Sequence, residues 1–190
     1  NLKEIEEFLN DKKQEEWNSF YENGNLQSIS NYVNDAIEGK SSWYYENGGI
    51  AEKRYFDKKN KFRIDSIFYE TGEIQFIDKR QNDKSLGNYS FYKNGNLEYI
   101  SVFLEPGEIK ESFGFYENGS IYSTHSFLNG KQDGNSTYYH KNGCVHQIIE
   151  FKENKWINIL CCLDSEGNNL ESGTLKNGTG TVIFYDSENN

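Results

Sequence analysis

Phe20-Tyr21-Glu22-Asn23-Gly24 decides the fold, because the chain copies it at a fixed interval. It returns as Tyr44-Tyr45-Glu46-Asn47-Gly48, Phe68-Tyr69-Glu70-Thr71-Gly72, Phe91-Tyr92-Lys93-Asn94-Gly95, Phe115-Tyr116-Glu117-Asn118-Gly119 and Tyr139-His140-Lys141-Asn142-Gly143. Successive glycines lie 24, 24, 23, 24 and 24 residues apart. A degenerate seventh copy, Leu163-Asp164-Ser165-Glu166-Gly167, follows, and Phe184-Tyr185 opens an eighth. An aliphatic residue stands two positions after each of the first six glycines (Leu26, Ile50, Ile74, Leu97, Ile121, Val145). Eight positions after the glycine the residue is aromatic in most copies (Tyr32, Phe56, Phe103, Phe127, Phe151), and Arg80 breaks that rule in the third.

A fixed period of this length marks a repeat architecture. Asn-Gly is a strong hairpin signal, and it predicts a two-residue type I′ turn in which both central residues take positive φ. Strands of about six to eight residues on each side, with a looser second turn near Gly39, Gly87 and Gly134, fill the period. One repeat is then one hairpin, and the chain is an all-β meander of about seven 24-residue repeats. A lone hairpin is marginal in water, so each copy must draw stability from its neighbours.

Composition agrees with a folded chain and excludes several functions. Hydrophobic residues make up only 35% of the 190 residues, yet 3 Trp, 14 Tyr and 13 Phe supply large side chains that favour strands. Asp and Glu number 30 against 20 Lys and Arg, a net charge of -10. With no basic run, the chain offers no footprint for nucleic acid and argues against direct binding to an anionic membrane. The chain opens on Asn1 and contains no Met, which reads as loss of an initiator or leader segment. A cytoplasmic location and an exported or cell-envelope one both stay open.

The repeats, with an aromatic pair, Glu-Asn-Gly, an aliphatic residue, an aromatic residue and a Gly-Lys-x-x-Gly-like turn such as Gly130-Lys131-Gln132-Asp133-Gly134, resemble the variant MORN repeat of bacterial proteins, in particular the YwqK-like antitoxin family. The resemblance runs from about Ser19 to Tyr185, with Arg80, His140, Asp164 and Asn169 as departures. It implies an elongated, curved single sheet of successive hairpins. It also implies a non-catalytic protein-binding module that neutralises a partner protein by covering its surface. The alternative it carries is a cell-envelope or membrane-associated scaffold.

The ends differ from the middle. Within residues 1–18, Leu2, Ile5, Phe8 and Leu9 recur at helical spacing amid charges, which predicts an amphipathic helix capping the open edge of the array. The array is expected over 19–185, ending in a strand from Thr181 to Tyr185, with a polar tail at 186–190.

Candidate chemistry is sparse. His140, Cys144 and His146 cluster at one turn, and a two-residue turn at Asn142-Gly143 would send the two imidazoles to opposite faces, so no metal is assigned. Cys161 and Cys162 are adjacent in a strand and cannot pair with each other; Cys144 matches no zinc spacing. Residues 173–180 lack the Gly-Lys-Ser/Thr ending of a phosphate loop. Glu22, Glu46, Glu70 and Glu117 sit whole repeats apart, too far to act as a catalytic pair. No cofactor and no catalytic residue is assigned, and the chain is read as not an enzyme.

What remains is a surface. Tyr21, Tyr45, Tyr69, Tyr92 and Tyr116, three before each glycine, are expected to form one row, a candidate binding face for a protein partner. Acidic charge would favour a basic partner such as a toxin. Gly24, Gly48, Gly72, Gly95, Gly119, Gly143 and Gly167 are read as structural turn residues.

Overall fold

The structure, a computed structural model, describes residues 4–5, 8–9, 12–13 and 15–185. All regular structure among them is β. The strands are β1 (Glu4–Ile5), β2 (Phe8–Leu9), β3 (Lys12–Lys13), β4 (Glu15–Phe20), β5 (Leu26–Val33), β6 (Ala36–Tyr44), β7 (Ile50–Asp57), β8 (Phe62–Phe68), β9 (Ile74–Gln81) and β10 (Lys84–Phe91). They continue with β11 (Leu97–Glu105), β12 (Glu108–Phe115), β13 (Ile121–Leu128), β14 (Lys131–Gln132), β15 (Gly134–Tyr139), β16 (Val145–Lys152) and β17 (Lys155–Cys162). Two compact units divide the chain, Asn1–Gly95 and Asn96–Asn190. In the first the strands run β1-β4-β5-β6-β7-β8-β9-β10, with β2 and β3 forming a separate hairpin; in the second they run β11-β12-β13-β15-β16-β17, and β14 pairs with β13. Each path is an antiparallel meander, as the repeat requires.

The turns are distributed in the reverse of the sequence expectation. At the repeat motif the loop has three residues, not two: Gly48 N–H donates to Tyr45 O at 2.8 Å and Tyr45 N–H to Gly49 O at 2.7 Å. Only the glycine takes positive φ, +87° at Gly48, where a Cβ would meet nothing within 4 Å. Backbone conformation, not space, therefore selects glycine there. The preceding Asn47 instead accepts the Gly49 N–H on its side-chain oxygen at 2.8 Å, capping the loop. Two-residue turns with positive φ at both positions occur at the other end of the hairpins, at Asn34-Asp35, Asn82-Asp83, Asn129-Gly130 and Glu153-Asn154.

The three-residue loop shifts the register beside it. Ser19 faces Ser28 while Phe20 faces Leu26, so Gln27 is an extra residue, a bulge; Ala51, Gln75, Tyr122 and His146 occupy the same position in their hairpins. The bulge holds the third residue after the glycine close to the residue three before it.

Side chains then sew repeat to repeat. Tyr21 donates its hydroxyl to Tyr44 O at 2.6 Å, Tyr45 to Phe68 O at 2.6 Å, Tyr69 to Phe91 O at 2.8 Å and Tyr116 to Tyr139 O at 2.7 Å. The loops are stitched in parallel by Asn25 Nδ2 to Glu46 O and Asn142 Nδ2 to Ser165 O.

The most buried row is small and polar where an aromatic row would be expected. In the first unit Trp17, Ser30, Ser41, Arg54, Asp65 and Asp78 face one another strand by strand; in the second, Ser101, Ser112 and His125 do so, as do Ser136, Ile149 and Ile159. Ser112 is 1% exposed and Ser136 and Ile149 0%. A sheet with little packed above it buries only what its own larger side chains lean over, so small residues take the middle. Asp78 on this row explains the departure at Arg80, whose Nε lies 2.6 Å from the Asp78 carboxylate. Asp65 is likewise held by Arg54 Nε at 2.6 Å.

The ends require corrections. Within 1–18 the described residues form strands, not a helix: β1 pairs with β4 through Glu4 and Ser19, so the first edge is covered by a strand. The rest of that expected helix, like the tail at 186–190, lies outside the described residues. Thr181–Tyr185 is not a strand either; only an isolated bridge joins Gly173 and Val182. Irregular backbone covers the edge of β17 instead, with Leu170 N–H donating to Cys162 O and Gly178 N–H to Ile157 O.

Removing one stitching hydroxyl should cost what one hydrogen bond contributes, about 1 kcal/mol. Tyr45→Phe is expected to lower stability by that amount in urea unfolding. Tyr55→Phe, at an exposed ring whose hydroxyl bonds to no other described residue, should stay within about 0.5 kcal/mol of the parent. His125 makes stability depend on pH. Its Nδ1 lies 3.0 Å from Ser136 Oγ and 3.2 Å from Gln132 Nε2, a donor, and its Nε2 lies 3.2 Å from Ser123 Oγ. This suits the neutral ring, and burial pushes its pKa below the ordinary 6.5. Below that pH the unfolded chain takes up a proton that the folded chain refuses, so stability falls as pH drops from 6.5. His125→Gln should flatten the acid side of a plot of Tm against pH.

Candidate binding site

The aromatic residues that the bulges and loops bring together form a cup in the second unit. Its volume is about 580 Å³. The strands place Tyr122 at the bulge of β13, Tyr138 and Tyr139 at the end of β15, Gln147 on β16 and Trp156 on β17; Tyr116 follows β12, and Phe184 and Tyr185 come from the irregular C-terminal segment. The rings meet edge to face. Tyr116 and Tyr122 have centroids 5.2 Å apart at 76°, Tyr122 and Tyr138 6.1 Å at 70°, and Trp156 and Phe184 5.7 Å at 82°. This is the preferred geometry for aromatic pairs, and it holds the wall without a second sheet. Tyr185 fixes the C-terminal segment by donating its hydroxyl to Glu171 O at 2.9 Å.

Polar groups in the cup come from Gln147, His140, His146 and the tyrosine hydroxyls. Gln147 is 3% exposed and reaches Ile183 O at 3.4 Å. Burial, with Tyr122 beside it, pushes the Tyr138 phenol pKa up, so the hydroxyl stays protonated and able to donate. A related, smaller groove of about 410 Å³ in the first unit is lined by Tyr21, Gln27, Trp43, Tyr45 and Glu52 among others.

These grooves contain members of the tyrosine row in both units. Tyr21 and Tyr45 line the first and Tyr116 the second. Their rings are half-buried, and the recorded hydroxyl bonds of Tyr21, Tyr45, Tyr69 and Tyr116 run to backbone carbonyls of the next repeat. Ring surface, rather than hydroxyl chemistry, is what this row presents. Sequence reasoning missed Tyr122, Tyr138, Trp156 and Phe184, which gather only because of the bulge and the returning C-terminal segment.

The remaining candidates fall as follows. The seven turn glycines all have positive φ, from 85° at Gly95 to 103° at Gly72. Glu22, Glu46, Glu70 and Glu117 are exposed at separate loops. Cys144 is exposed, Cys161 half-buried and Cys162 buried, all three free; burial, then Cys161, raises the Cys162 pKa. Residues 173–180 form a turn with a bridge between Lys176 and Thr179. The two imidazoles lie together and not on opposite faces. His140 Nε2 and His146 Nδ1 lie 3.2 Å apart, because the longer loop and the bulge at His146 cancel the parity that a two-residue turn would impose.

Comparison with protein families matches residues 16–34 and 37–58 to the family described as MORN repeat variant. These two segments carry MORN-type repeats. Repeats of this kind mark a repeat module, and the same loop geometry recurs in the later copies through Gly167. No curated protein matches the chain. Among solved structures, a mutant of S. aureus TarM in complex with fondaparinux, alpha-GlcNAc-glycerol and UDP is 15% identical over 50% of this chain, with a TM-score of 0.36. A second crystal structure of TarM is 16% identical over 56% of the chain, with a TM-score of 0.37, and the GtfA/B complex is 14% identical over 63%, with a TM-score of 0.20. The match spans 19%, 20% and 19% of those chains. Likeness at this level carries no functional argument.

Proposed function

We propose that the chain is a non-catalytic recognition module that binds a protein partner on its aromatic grooves, in the manner of an antitoxin-like protein of the YwqK-like type. The observation that carries this reading is the cup of the second unit, where the rings of Tyr116, Tyr122, Tyr138, Trp156 and Phe184 line one concavity. Tyr and Trp give large, rigid contact area at low entropic cost, which is what recognition surfaces use.

Charge selects the partner's sign. The second unit holds six lysines, no arginine and thirteen acidic residues, so most of the net negative charge lies there. A basic partner is steered toward such a surface, and the attraction is screened by salt. This supports a basic toxin-like protein over an anionic membrane.

The test is calorimetric titration of the chain with the purified product of the adjacent reading frame, at about 50 and about 300 mM salt. The reading expects binding that weakens with salt and falls by roughly tenfold or more in Tyr122→Ala and in Tyr138→Ala. A partner that binds equally well to both variants, or none at all alongside no effect on growth when the neighbour is expressed alone, overturns it.

A further inference from the structure

The repeats provide an internal comparison for His140 and His146. Three residues before the glycine, the first five copies carry Tyr21, Tyr45, Tyr69, Tyr92 and Tyr116, and the sixth carries His140. At the bulge, three after the glycine, the copies carry Gln27, Ala51, Gln75, Glu98 and Tyr122, and the sixth carries His146. The bulge holds these two positions against each other. One repeat has therefore changed both facing residues to histidine.

The result is a convergence of three donor atoms at the cup. His140 Nε2 lies 2.9 Å from Leu163 O, His146 Nδ1 lies 3.1 Å from the same oxygen, and the two nitrogens are 3.2 Å apart. In the other recorded copies a single tyrosine hydroxyl serves the equivalent carbonyl. Here two imidazoles crowd it, with ring centroids 4.5 Å apart. Hydrogen bonding alone fits this triangle poorly. Either both imidazoles aim an N–H at one oxygen and their hydrogens face each other, or one N–H is forked between oxygen and nitrogen.

We propose that His140 Nε2, His146 Nδ1 and Leu163 O bind a divalent transition-metal ion of the Zn2+, Ni2+ and Cu2+ class. Ligand atoms about 2.0–2.2 Å from one such ion sit roughly 3 Å from each other, which is the size of this triangle. Two neutral imidazoles and a carbonyl suit borderline ions and not Ca2+ or Mg2+, which take all-oxygen sets. Among the described residues no group of three or more His, Cys, Asp and Glu side chains gathers, so the protein fills only part of the coordination shell. Both histidines line the cup. The open positions of the ion therefore face the concavity and take water or a donor group of whatever enters it.

Calorimetric titration of the untagged full chain with ZnCl2 tests the assignment. One equivalent of Zn2+ is expected to bind, with Ni2+ competing and Mg2+ not. His140→Tyr restores the residue that the other copies use for the same carbonyl, and His146→Gln restores one found at the bulge of the first and third, so both should fold; a cooperative melt checks this. Each should weaken Zn2+ binding more than about tenfold, the loss that even outer ligand partners cause. Cys144→Ser and His125→Gln should leave it unchanged. The proposal is overturned if the parent binds no Zn2+, if either histidine variant binds as tightly as the parent, or if Cys144→Ser abolishes binding.

Discussion

A side-chain donor reaching a backbone carbonyl one repeat ahead is the interaction on which the rest of the structure depends. A hairpin by itself satisfies half of its backbone through its own turn and leaves the outer edge open. Strand pairing closes that edge along most of its length, but the carbonyl of a strand's last residue, such as Tyr44 or Phe68, lies beyond the last ladder bond to the preceding hairpin. Tyr21, Tyr45, Tyr69 and Tyr116, three before their glycines, span this gap, as with Tyr45 and Phe68 O at 2.6 Å. One residue thus joins a local turn to the next copy, and the interval between copies cannot drift far without losing it. The single 23-residue step, between Gly72 and Gly95, falls within an interval that keeps the bond from Tyr69 to Phe91 O.

The buried row follows from having little material above the sheet. In a two-layer protein the facing layer would cover large apolar side chains, and the core would be Leu, Ile and Phe. Here the covering atoms come from the same sheet, so the middle position must be small or must satisfy its own polar groups. Serine meets the first requirement at Ser41, Ser112 and Ser136. The Arg54–Asp65 and Arg80–Asp78 pairs meet the second, at 2.6 Å each. Such pairs repay little net stability, since desolvation offsets their attraction, but losing one member leaves a costly charge behind. Aromatic residues line an open groove in each unit instead of packing under a second layer.

Much of the fold was legible in the sequence because the period is written in glycines. All-β character, antiparallel hairpins and turn placement all follow from it. The turn type was not legible: Asn-Gly serves both a two-residue I′ turn and a three-residue loop in which only glycine needs positive φ, and Thr71-Gly72 and Glu166-Gly167 form the same loop without the asparagine. That one residue of loop length changed which side chains meet. The N-terminal misreading has a different origin. Leu2, Ile5, Phe8 and Leu9 keep helical spacing, yet the open edge of β4 offers ladder bonds that a helix cannot use, and Glu4–Ile5 takes them. The candidate site was only half legible, since Tyr116 belongs to the periodic row while Trp156 and Phe184 meet through the irregular segment after β17.

Repetition also turns the chain into its own reference. Where a copy departs from the others at one position, local packing usually explains it: Arg80 answers Asp78, and Asp164 replaces the usual tyrosine while still capping its loop by accepting the amides of Glu166 and Asn168. Where a copy departs at two positions that touch, packing explains less, because either change alone would have kept the old bond or the old neighbour. His140 and His146 are such a pair. The carbonyl they share meets two ring nitrogens that also meet each other, and each ring can give a lone pair there instead of a proton. Three lone-pair-bearing atoms within 3.2 Å of one another suit coordination, and the two rings stand in the concavity where the aromatic walls already favour a ligand.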